Sequence, residues 1–206
     1  MLSEWNTKLF FFINSDLKHP INDLWLGYST HLGNAAVLFP IAVLVLLLYD
    51  RKAFWRNFGY LALAGLLGGI VVTEAKLFFN APRPLALFQE AIASGNVVVN
   101  VMFEPLYAHS FPSGHSQVAF TVAHSLAYLC VRWHRAAKGA LYAMATVIAL
   151  SRVYVGAHFP ADVLAGACLG VATASGAFWL LNKVQAWHAA RALHTVETVS
   201  ENSLHL

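Results

Sequence analysis

Long apolar stretches alternate with short polar segments along most of the chain. Five of these stretches carry few charges or none, and each approaches the length of about 20 residues with which a helix crosses a bilayer. They are Leu32–Tyr49, Asn57–Phe79, His115–Val131, Gly139–Tyr154 and Ala161–Leu181. The pattern predicts an all-α integral membrane protein, a polytopic helical bundle with about five transmembrane helices.

The N-terminal segment, residues 1–30, has a different pattern. Trp5, Leu9 and Phe12 recur about one helical turn apart with polar residues between them, as in a helix that lies in the membrane interface. We therefore predict an N-terminal interfacial helix. A sixth span across residues 3–30 is the competing interpretation, and several residues disfavour it: Asp16, Lys18, Pro20 and Asp23.

The composition agrees with a membrane protein. Hydrophobic residues make up 58% of the 206 residues and charged residues 11%, with a mean hydropathy of +0.58, which excludes an ordinary water-soluble domain. The net charge of +3 is spread along the chain rather than gathered into a patch, so we exclude nucleic-acid binding. We predict one membrane domain over residues 1–190, with a transmembrane core at 32–181 and an outer loop at 80–111. A cytoplasmic tail follows at 191–206, and we expect its polar part at 194–206 to be disordered.

Lysine and arginine are unevenly distributed between the two ends of the predicted spans. They cluster after the first, third and fifth spans, at Arg51, Lys52, Arg56, Arg132, Arg135, Lys138, Lys183 and Arg191. Because basic loops stay in the cytoplasm, the N-terminus, the loop at 80–111 and the turn at 155–160 are predicted to lie outside it. Within that loop Leu85, Phe88 and Ile92 recur at helical spacing, which predicts a short amphipathic helix.

Polar and ionisable residues gather at the outer ends of four predicted spans. Such residues are costly at membrane depth and usually serve a function. They are Lys76, Arg83, Ser113, His115, Arg152, His158 and Asp162. Their placement on one side indicates a single site.

Three cations in this set favour a multiply charged anion as the ligand. Lys76, Arg83 and Arg152 are predicted to surround a helix that opens at Ser113, Gly114 and His115. The free backbone N–H groups of a helix N-terminus bind anions, and glycine allows a ligand to approach the backbone closely. A phosphate group fits this combination best.

Two histidines and one carboxylate supply the reactive groups. Pro160 suits the first position of a helix, which places Asp162 in the first turn, within reach of His158. A carboxylate on one ring nitrogen fixes the tautomer and leaves the other nitrogen free to attack. His115 could then act as general acid and base, worth about 10² to 10⁴ in rate.

The same residues carry a family resemblance. "KLFFNAPRP" (Lys76–Pro84), "PSGH" (Pro112–His115) and "SRVYVGAHFPAD" (Ser151–Asp162) match, in order and spacing, the K-x6-R-P, P-S-G-H and S-R-x5-H-x3-D motifs of the type 2 phosphatidic acid phosphatase (PAP2) family. The chain resembles a bacterial membrane member of that family.

The resemblance implies a metal-independent lipid phosphatase with a phosphohistidine intermediate and no cofactor. It implies these catalytic residues: His158 as nucleophile, Asp162 as its orienting partner and His115 as acid and base. It implies these phosphate contacts: Lys76, Arg83, Ser113, Gly114 and Arg152. Gly114 departs from several polyprenyl-diphosphate phosphatases, which have Asp at that position.

The resemblance also suggests a place and a substrate. It implies a multi-pass protein of the bacterial inner membrane whose site faces the periplasm or exterior, among membrane lipids. We favour undecaprenyl diphosphate as substrate. Phosphatidylglycerophosphate, phosphatidic acid and lipid A remain alternatives, as does a lipid phosphotransferase with the same residues.

Two other interpretations of the site are open. His115, His158 and Asp162 could bind a zinc or iron ion, although three nearby cations would repel it. A non-catalytic carrier of anionic lipids would explain the cations but gives His158 and Asp162 no role. Outside the site, we predict packing or interhelical hydrogen bonds for His124 and Gln117, and a buried position with a partner for Glu74.

Overall fold

The computed structural model describes residues 3–204, with side chains for residues 3–191. The described residues form α-helices and short 3₁₀ and π turns, without strands. The α-helices are α1 (Glu4–Phe11), α2 (Pro20–Asn22), α3 (Ala35–Tyr49), α4 (Phe54–Phe79), α5 (Pro84–Leu87), α6 (Gln89–Ala93), α7 (Gly114–Leu129), α8 (Arg135–Tyr154) and α9 (Pro160–Leu204). The predicted all-α class is confirmed.

Three stretches of the described residues are long and apolar enough to cross a membrane: Phe54–Ala93, Arg135–Tyr154 and Pro160–Arg191. A fourth results if the segments Pro20–Gly33 and Ala35–Tyr49, which meet at 78°, form one broken span. The chain is therefore a multi-pass membrane protein. The predicted third span corresponds to α7, which has only 16 residues, so the count of five is not reached by length and composition alone.

Local sequence explains where the helices begin and end. The Asn34 side chain accepts a hydrogen bond from the Ala36 N–H at 2.9 Å and caps α3, as asparagine commonly does. Ser113 is the N-cap of α7. At the end of α4, Asn80 adopts a left-handed conformation with φ of 39°, which stops the helix before the following prolines.

The end of the chain differs from the prediction. The last predicted span ends at Leu181, and we expected disorder at 194–206, but α9 continues to Leu204. The sequence that follows Leu181 contains no proline or glycine and is rich in alanine, which favours continued helix. The expectation of disorder is wrong as far as Leu204, while the final two residues and the side chains beyond Arg191 lie outside the described residues.

Helix α7 lies at the centre of the bundle and packs against α3, α4, α8 and α9. Glycines on α9 allow a close approach: a Cβ atom added at Gly166 or Gly170 would collide with a backbone carbonyl of α7. Close packing through small residues is a common way to associate helices in membranes. It fixes the height of the α7 N-terminus relative to the start of α9.

Three clusters of buried apolar residues lie in the described part of the bundle, and two of them are large. The first joins α3, α4, α7 and α9 and includes Leu46, Leu61, Leu126 and Phe178. The second lies around the turn between α8 and α9 and includes Phe10, Val153, Tyr154 and Phe159. The second cluster draws in the N-terminal segment, which thus packs against the part of the bundle that carries the candidate site.

Buried asparagines attach the N-terminal segment to this end of the bundle. The Asn6 side chain accepts a hydrogen bond from the Ala161 N–H at 2.9 Å. Asn14 donates to the carbonyls of Tyr154 at 2.8 Å and Asn100 at 2.9 Å. The residues predicted to face the membrane interface are exposed: Trp5, Leu9 and Phe12. The placement of α1 in the interface stays a prediction.

The outer loop contains two short helices, α5 and α6, where we predicted one amphipathic helix. They are separated at Phe88, whose ring lies 6.1 Å from that of Phe10 and 6.0 Å from that of Phe159. The loop therefore packs onto the second cluster rather than standing away from the bundle.

Candidate active site

The tight turn between α8 and α9 sets His158 beside Arg152. The Arg152 carbonyl accepts hydrogen bonds from the N–H groups of Ala157 at 3.0 Å and His158 at 3.1 Å. Gly156 has φ of +78°, and a Cβ atom added there would lie 2.6 Å from the Asn100 carbonyl oxygen. Only glycine fits both the conformation and the space.

Asp162 and Ser110 surround one ring nitrogen of His158. Asp162 Oδ2 accepts hydrogen bonds from the Phe159 N–H at 2.9 Å and from Ser110 Oγ at 2.5 Å. His158 Nδ1 lies 3.6 Å from Asp162 Oδ2 and 3.4 Å from Ser110 Oγ. All three side chains are buried, so this nitrogen faces acceptors that are held in place.

Ser110 is a further residue of the site that the sequence motifs did not predict. It lies just before the second motif, and its partner Asp162 is 52 residues away, so neither spacing nor periodicity connects the two. Only the fold shows that this serine is buried against the carboxylate.

Arg83 reaches the other ring nitrogen of His158. Its Nε donates to the Ala108 carbonyl at 2.7 Å and its Nη1 to the Ala157 carbonyl at 2.9 Å. Nη1 also lies 3.4 Å from His158 Nε2. Arg83 has an extended backbone immediately before Pro84, because a residue that precedes proline disfavours the helical conformation. The guanidinium is thus fixed beside Nε2.

Lys76 lies between the end of α4 and the start of α7. Its Nζ donates to the His109 carbonyl at 2.7 Å, and a Cβ atom added at Gly114 would lie 3.7 Å from Lys76 Cε. The His109 side chain is exposed and borders the site. Lys76 therefore places a cation close to the N-terminus of α7.

The N-terminus of α7 differs in one respect from the prediction. The Ser113 N–H donates to the Asp162 carbonyl at 2.9 Å, so the prediction that it is free for a ligand is wrong. Within the described residues, the N–H groups of Gly114 and His115 have no hydrogen-bond partner. The anion-binding end of the helix is thus formed by these two residues, and the Ser113 amide links α7 to α9.

Arg152 completes the set of cations. It is 8% exposed, and its Nη1 donates to Thr30 Oγ1 at 2.5 Å. Its Nε is buried and has no hydrogen-bond partner among the described residues, which is unusual for a charged donor. An anion next to Arg152 would satisfy it.

The eight predicted site residues all lie at one end of the bundle. Most of them contact another member of the set, either around His158 and Asp162 or where Lys76 lies beside Gly114. They come from the end of α4, the loop before α5, the start of α7, the end of α8, the turn that follows it and the start of α9, namely Lys76, Arg83, Ser113, Gly114, His115, Arg152, His158 and Asp162.

The environment of His158 favours its neutral form. Burial lowers the pKa of His158 below its ordinary value of 6.5, and the charges of Arg83 and Arg152 lower it further, while Asp162 partly opposes the shift. Because a lowered pKa keeps imidazole unprotonated at neutral pH, His158 has a free lone pair there.

Other predictions can be compared with the structure. His124 forms interhelical hydrogen bonds with Tyr142 at 2.7 Å and Ser175 at 3.0 Å, as predicted. Glu74, which we expected to be buried with a partner, is exposed, so that expectation is wrong.

Over the described part of the chain, no group of three or more His, Cys, Asp or Glu side chains could hold a metal ion.

Comparisons with known proteins extend the resemblance seen in the sequence. The family model of the PAP2 superfamily matches residues 53–186. Escherichia coli YbjG is 43% identical over 88 residues, which are 38% of this chain and 42% of YbjG, so the match spans less than half of that relative. The undecaprenyl-diphosphatase of Sulfolobus acidocaldarius is 30% identical over 168 residues, 81% of this chain and 73% of the relative. The crystal structure of Aquifex aeolicus LpxE superposes with a TM-score of 0.71 at 34% identity, covering 85% of this chain and 96% of that one.

Proposed function

Because the chain belongs to the PAP2 superfamily, we propose that it is a membrane lipid phosphatase that removes a terminal phosphate through a phosphohistidine at His158. The observation that carries this proposal is the environment of one imidazole. His158 Nδ1 faces Asp162 and Ser110, and His158 Nε2 lies 3.4 Å from an Arg83 nitrogen. A nucleophile that is oriented on one side and faces a cation on the other suits phosphoryl transfer.

In the first step, the lone pair of His158 Nε2 attacks the terminal phosphorus of the lipid. The nitrogen–phosphorus bond forms as the bond from phosphorus to the leaving oxygen breaks. His115 gives a proton to that oxygen, so the lipid product leaves with its leaving oxygen protonated. Asp162 stabilises the positive charge that develops on the His158 ring.

In the second step, water attacks the phosphorus of the phosphohistidine. His115, now without its proton, takes one proton from the water as the new oxygen–phosphorus bond forms. The nitrogen–phosphorus bond breaks and its electron pair returns to His158 Nε2. Inorganic phosphate is released, and both histidines return to their starting states.

The cations would stabilise the transferring phosphoryl group. Phosphoryl transfer depends mainly on positioning and on neutralising charge on the phosphoryl oxygens. We assign this role to Lys76, Arg83 and Arg152, together with the unpaired N–H groups of Gly114 and His115. Ser113 would act by joining α7 to Asp162 rather than by donating its amide to the phosphate.

We propose undecaprenyl diphosphate as the substrate. The similarity to a relative named undecaprenyl-diphosphatase over 81% of this chain supports this choice. The site lies at helix ends, where a diphosphate could enter from the bilayer surface while its isoprenoid chain stays among the lipids. Phosphatidylglycerophosphate, phosphatidic acid and lipid A are the alternatives that the same phosphate site would accept.

We further propose five spans, formed by α3, α4, α7, α8 and α9, in the bacterial inner membrane. With 15 residues, α3 would be about 22 Å long, and its flanking turns would complete the crossing. The positions of lysine and arginine support a site that faces the periplasm. Helix α1 would then lie in the interface on the periplasmic side of the inner membrane.

The activity is tested with purified full-length protein in detergent and EDTA. Undecaprenyl diphosphate, phosphatidylglycerophosphate and phosphatidic acid are offered separately, and released phosphate is measured for the wild type, His158→Ala and the control His188→Ala, whose side chain is exposed on α9. We expect fastest release from undecaprenyl diphosphate, normal release by the control and none by His158→Ala.

Each other outcome of this experiment contradicts a defined part of the proposal. Activity that EDTA abolishes would contradict metal independence. Faster release from another lipid would replace the proposed substrate. Binding of the lipids without release of phosphate would favour the non-catalytic carrier.

A further inference from the structure

A turn that is remote in sequence contacts two of the proposed active-site side chains. This 3₁₀ turn, Thr30–Gly33, precedes α3. Thr30 Oγ1 accepts a hydrogen bond from Arg152 Nη1 at 2.5 Å. At its other end, a Cβ atom added to Gly33 would lie 2.9 Å from His115 Cδ2. One turn therefore contacts both a proposed phosphate-binding cation and the proposed acid and base.

The contact with Thr30 restricts the Arg152 side chain. Arg152 is 8% exposed, and within the described residues Thr30 is the hydrogen-bond partner of its guanidinium. Guanidinium is planar, with five N–H donors in a fixed fork. Holding one terminal nitrogen therefore restricts the direction of the others. Among them is Nε, which is buried without a partner and remains available to a phosphoryl oxygen.

Thr30 is itself held in place. It is 2% exposed, so water cannot replace Arg152 as the hydrogen-bond partner of its hydroxyl. The preceding Ser29 donates to the Leu26 carbonyl at 2.7 Å, and the turn ends at Asn34, which caps α3. The turn is thus anchored at both ends, as a support for another side chain must be.

At the other end of the turn, Gly33 has no side chain, and atoms of His115 and Ile148 lie in the space that a side chain would occupy. An added Cβ at Gly33 would lie 3.0 Å from His115 Cβ and 2.8 Å from Ile148 Cγ2. Cβ contacts below about 3 Å force a neighbour to move, and tightly packed surroundings leave little freedom to do so. Gly33 therefore leaves the space in which the His115 ring lies.

We propose that Thr30 is a positioning residue that directs Arg152 toward the phosphate, and that Gly33 sets the position of the His115 ring. The inference rests on the proposed phosphatase function and deepens it. It assigns to the segment before the first long helix a role in the chemistry, although none of the three family motifs includes that segment.

The experiment compares full-length wild type with Thr30→Val, Thr30→Ala and Thr30→Ser. For each, kcat and KM for undecaprenyl diphosphate and the inhibition constant of orthovanadate are measured, since vanadate mimics the transferring phosphoryl group. Valine and alanine remove the hydroxyl, and serine retains it. Thr146→Val is the matched control, because the Thr146 hydroxyl bonds to a carbonyl of its own helix.

We expect Thr30→Val and Thr30→Ala to weaken vanadate inhibition and to lower kcat/KM by about tenfold, as for one lost hydrogen bond to a charged group. Thr30→Ser and Thr146→Val should stay within about twofold of the wild type. Gly33→Ala should lower kcat more than it changes vanadate inhibition, because it displaces the acid and base rather than the cation. A merely structural role for Thr30 would lower thermal stability without changing vanadate inhibition.

An active wild type with unchanged vanadate inhibition in both hydroxyl-free variants would overturn the inference while leaving the proposed function intact. If Thr30→Val does not fold, Thr30→Ala decides the question with the same readout. Loss of vanadate inhibition in Thr30→Ser as well as Thr30→Ala would also overturn it, because the hydroxyl would then not be the group that matters. A wild type that hydrolyses no lipid would overturn the proposed function and this inference together.

Discussion

Ser110 connects His158, the proposed nucleophile, to Asp162, its proposed orienting partner. The 3.6 Å between His158 Nδ1 and Asp162 Oδ2 is longer than a good hydrogen bond. Ser110 Oγ lies 2.5 Å from the same carboxylate oxygen and 3.4 Å from Nδ1. The hydroxyl therefore helps to hold the carboxylate in the orientation that fixes the imidazole.

Replacing Ser110 by alanine tests this arrangement. Because the hydrogen bond to a buried carboxylate is lost, we expect Ser110→Ala to lower kcat by about ten- to a hundredfold, with a smaller change in KM. Steady-state hydrolysis of the lipid substrate measures both constants.

Ser125→Ala provides the matched control for this prediction. Ser125 is also fully buried, but in the part of the chain that the structure describes its hydroxyl has no hydrogen-bond partner. Its removal should therefore leave kcat unchanged. Equal kcat values for Ser110→Ala and Ser125→Ala would contradict the role of Ser110.

At the level of residues, the sequence predicted the groups within the motifs but not those that support them. Lys76, His115 and His158 stand at recognisable spacings within motifs. The partners Ser110 and Thr30 are separated by 52 and 122 residues from the side chains they contact. Such pairs follow from tertiary packing, which no local pattern encodes.

At the level of elements, hydrophobic stretches predicted the long helices well. The predicted Asn57–Phe79 corresponds to α4, and Gly139–Tyr154 lies within α8. The predicted helix boundaries are wrong in segments where the apolar content does not determine the structure. The polar continuation of α9 is helical through Leu204 because of residue propensity, and the outer loop is broken at Phe88 because that ring packs into a cluster.

The contact between α7 and α9 offers a prediction at this scale. A Cβ atom at Gly166 would collide with the Ser113 carbonyl and lie 3.1 Å from Ser116 Cβ. We expect Gly166→Ala to destabilise the protein by about 1–3 kcal/mol and to lower activity, because it displaces the start of α7. Thermal unfolding in detergent and lipid hydrolysis measure the two effects.

Gly176→Ala is the corresponding control on the same helix. Apart from the adjacent residues and backbone of its own helix, no atom of the described residues lies within 4 Å of a Cβ added there. Alanine should therefore stabilise the helix by about 0.5–1 kcal/mol and leave activity unchanged. If Gly166→Ala behaved like Gly176→Ala, close packing of α7 on α9 would not be what positions the site.

At the level of the whole molecule, the two ends of the bundle differ in chemistry. One end carries the site, covered at its sides by the N-terminal segment and the outer loop. The other end carries the basic residues that predict the cytoplasmic side. This asymmetry was evident in the sequence, whereas the folding of residues 3–30 onto the site end was not.

The predicted orientation can be measured in intact cells. On a background in which Cys130 and Cys168 are replaced by alanine, we expect Ser94→Cys in the exposed part of the outer loop to react with a membrane-impermeant maleimide. Arg135→Cys, at the start of α8, should react only after the cells are permeabilised. The reverse pattern would overturn the topology.

A phosphohistidine at His158 is the intermediate on which the proposed function rests. Its most direct test is to mix the wild type, in EDTA, with undecaprenyl diphosphate labelled with ³²P in the terminal phosphate, to quench rapidly in alkali and to measure protein-bound label. We predict transient label on the peptide that contains His158, stable to alkali and released by acid, and none on His158→Ala. Wild-type hydrolysis without protein-bound label at any quench time, or label on the His158→Ala protein, would contradict the account.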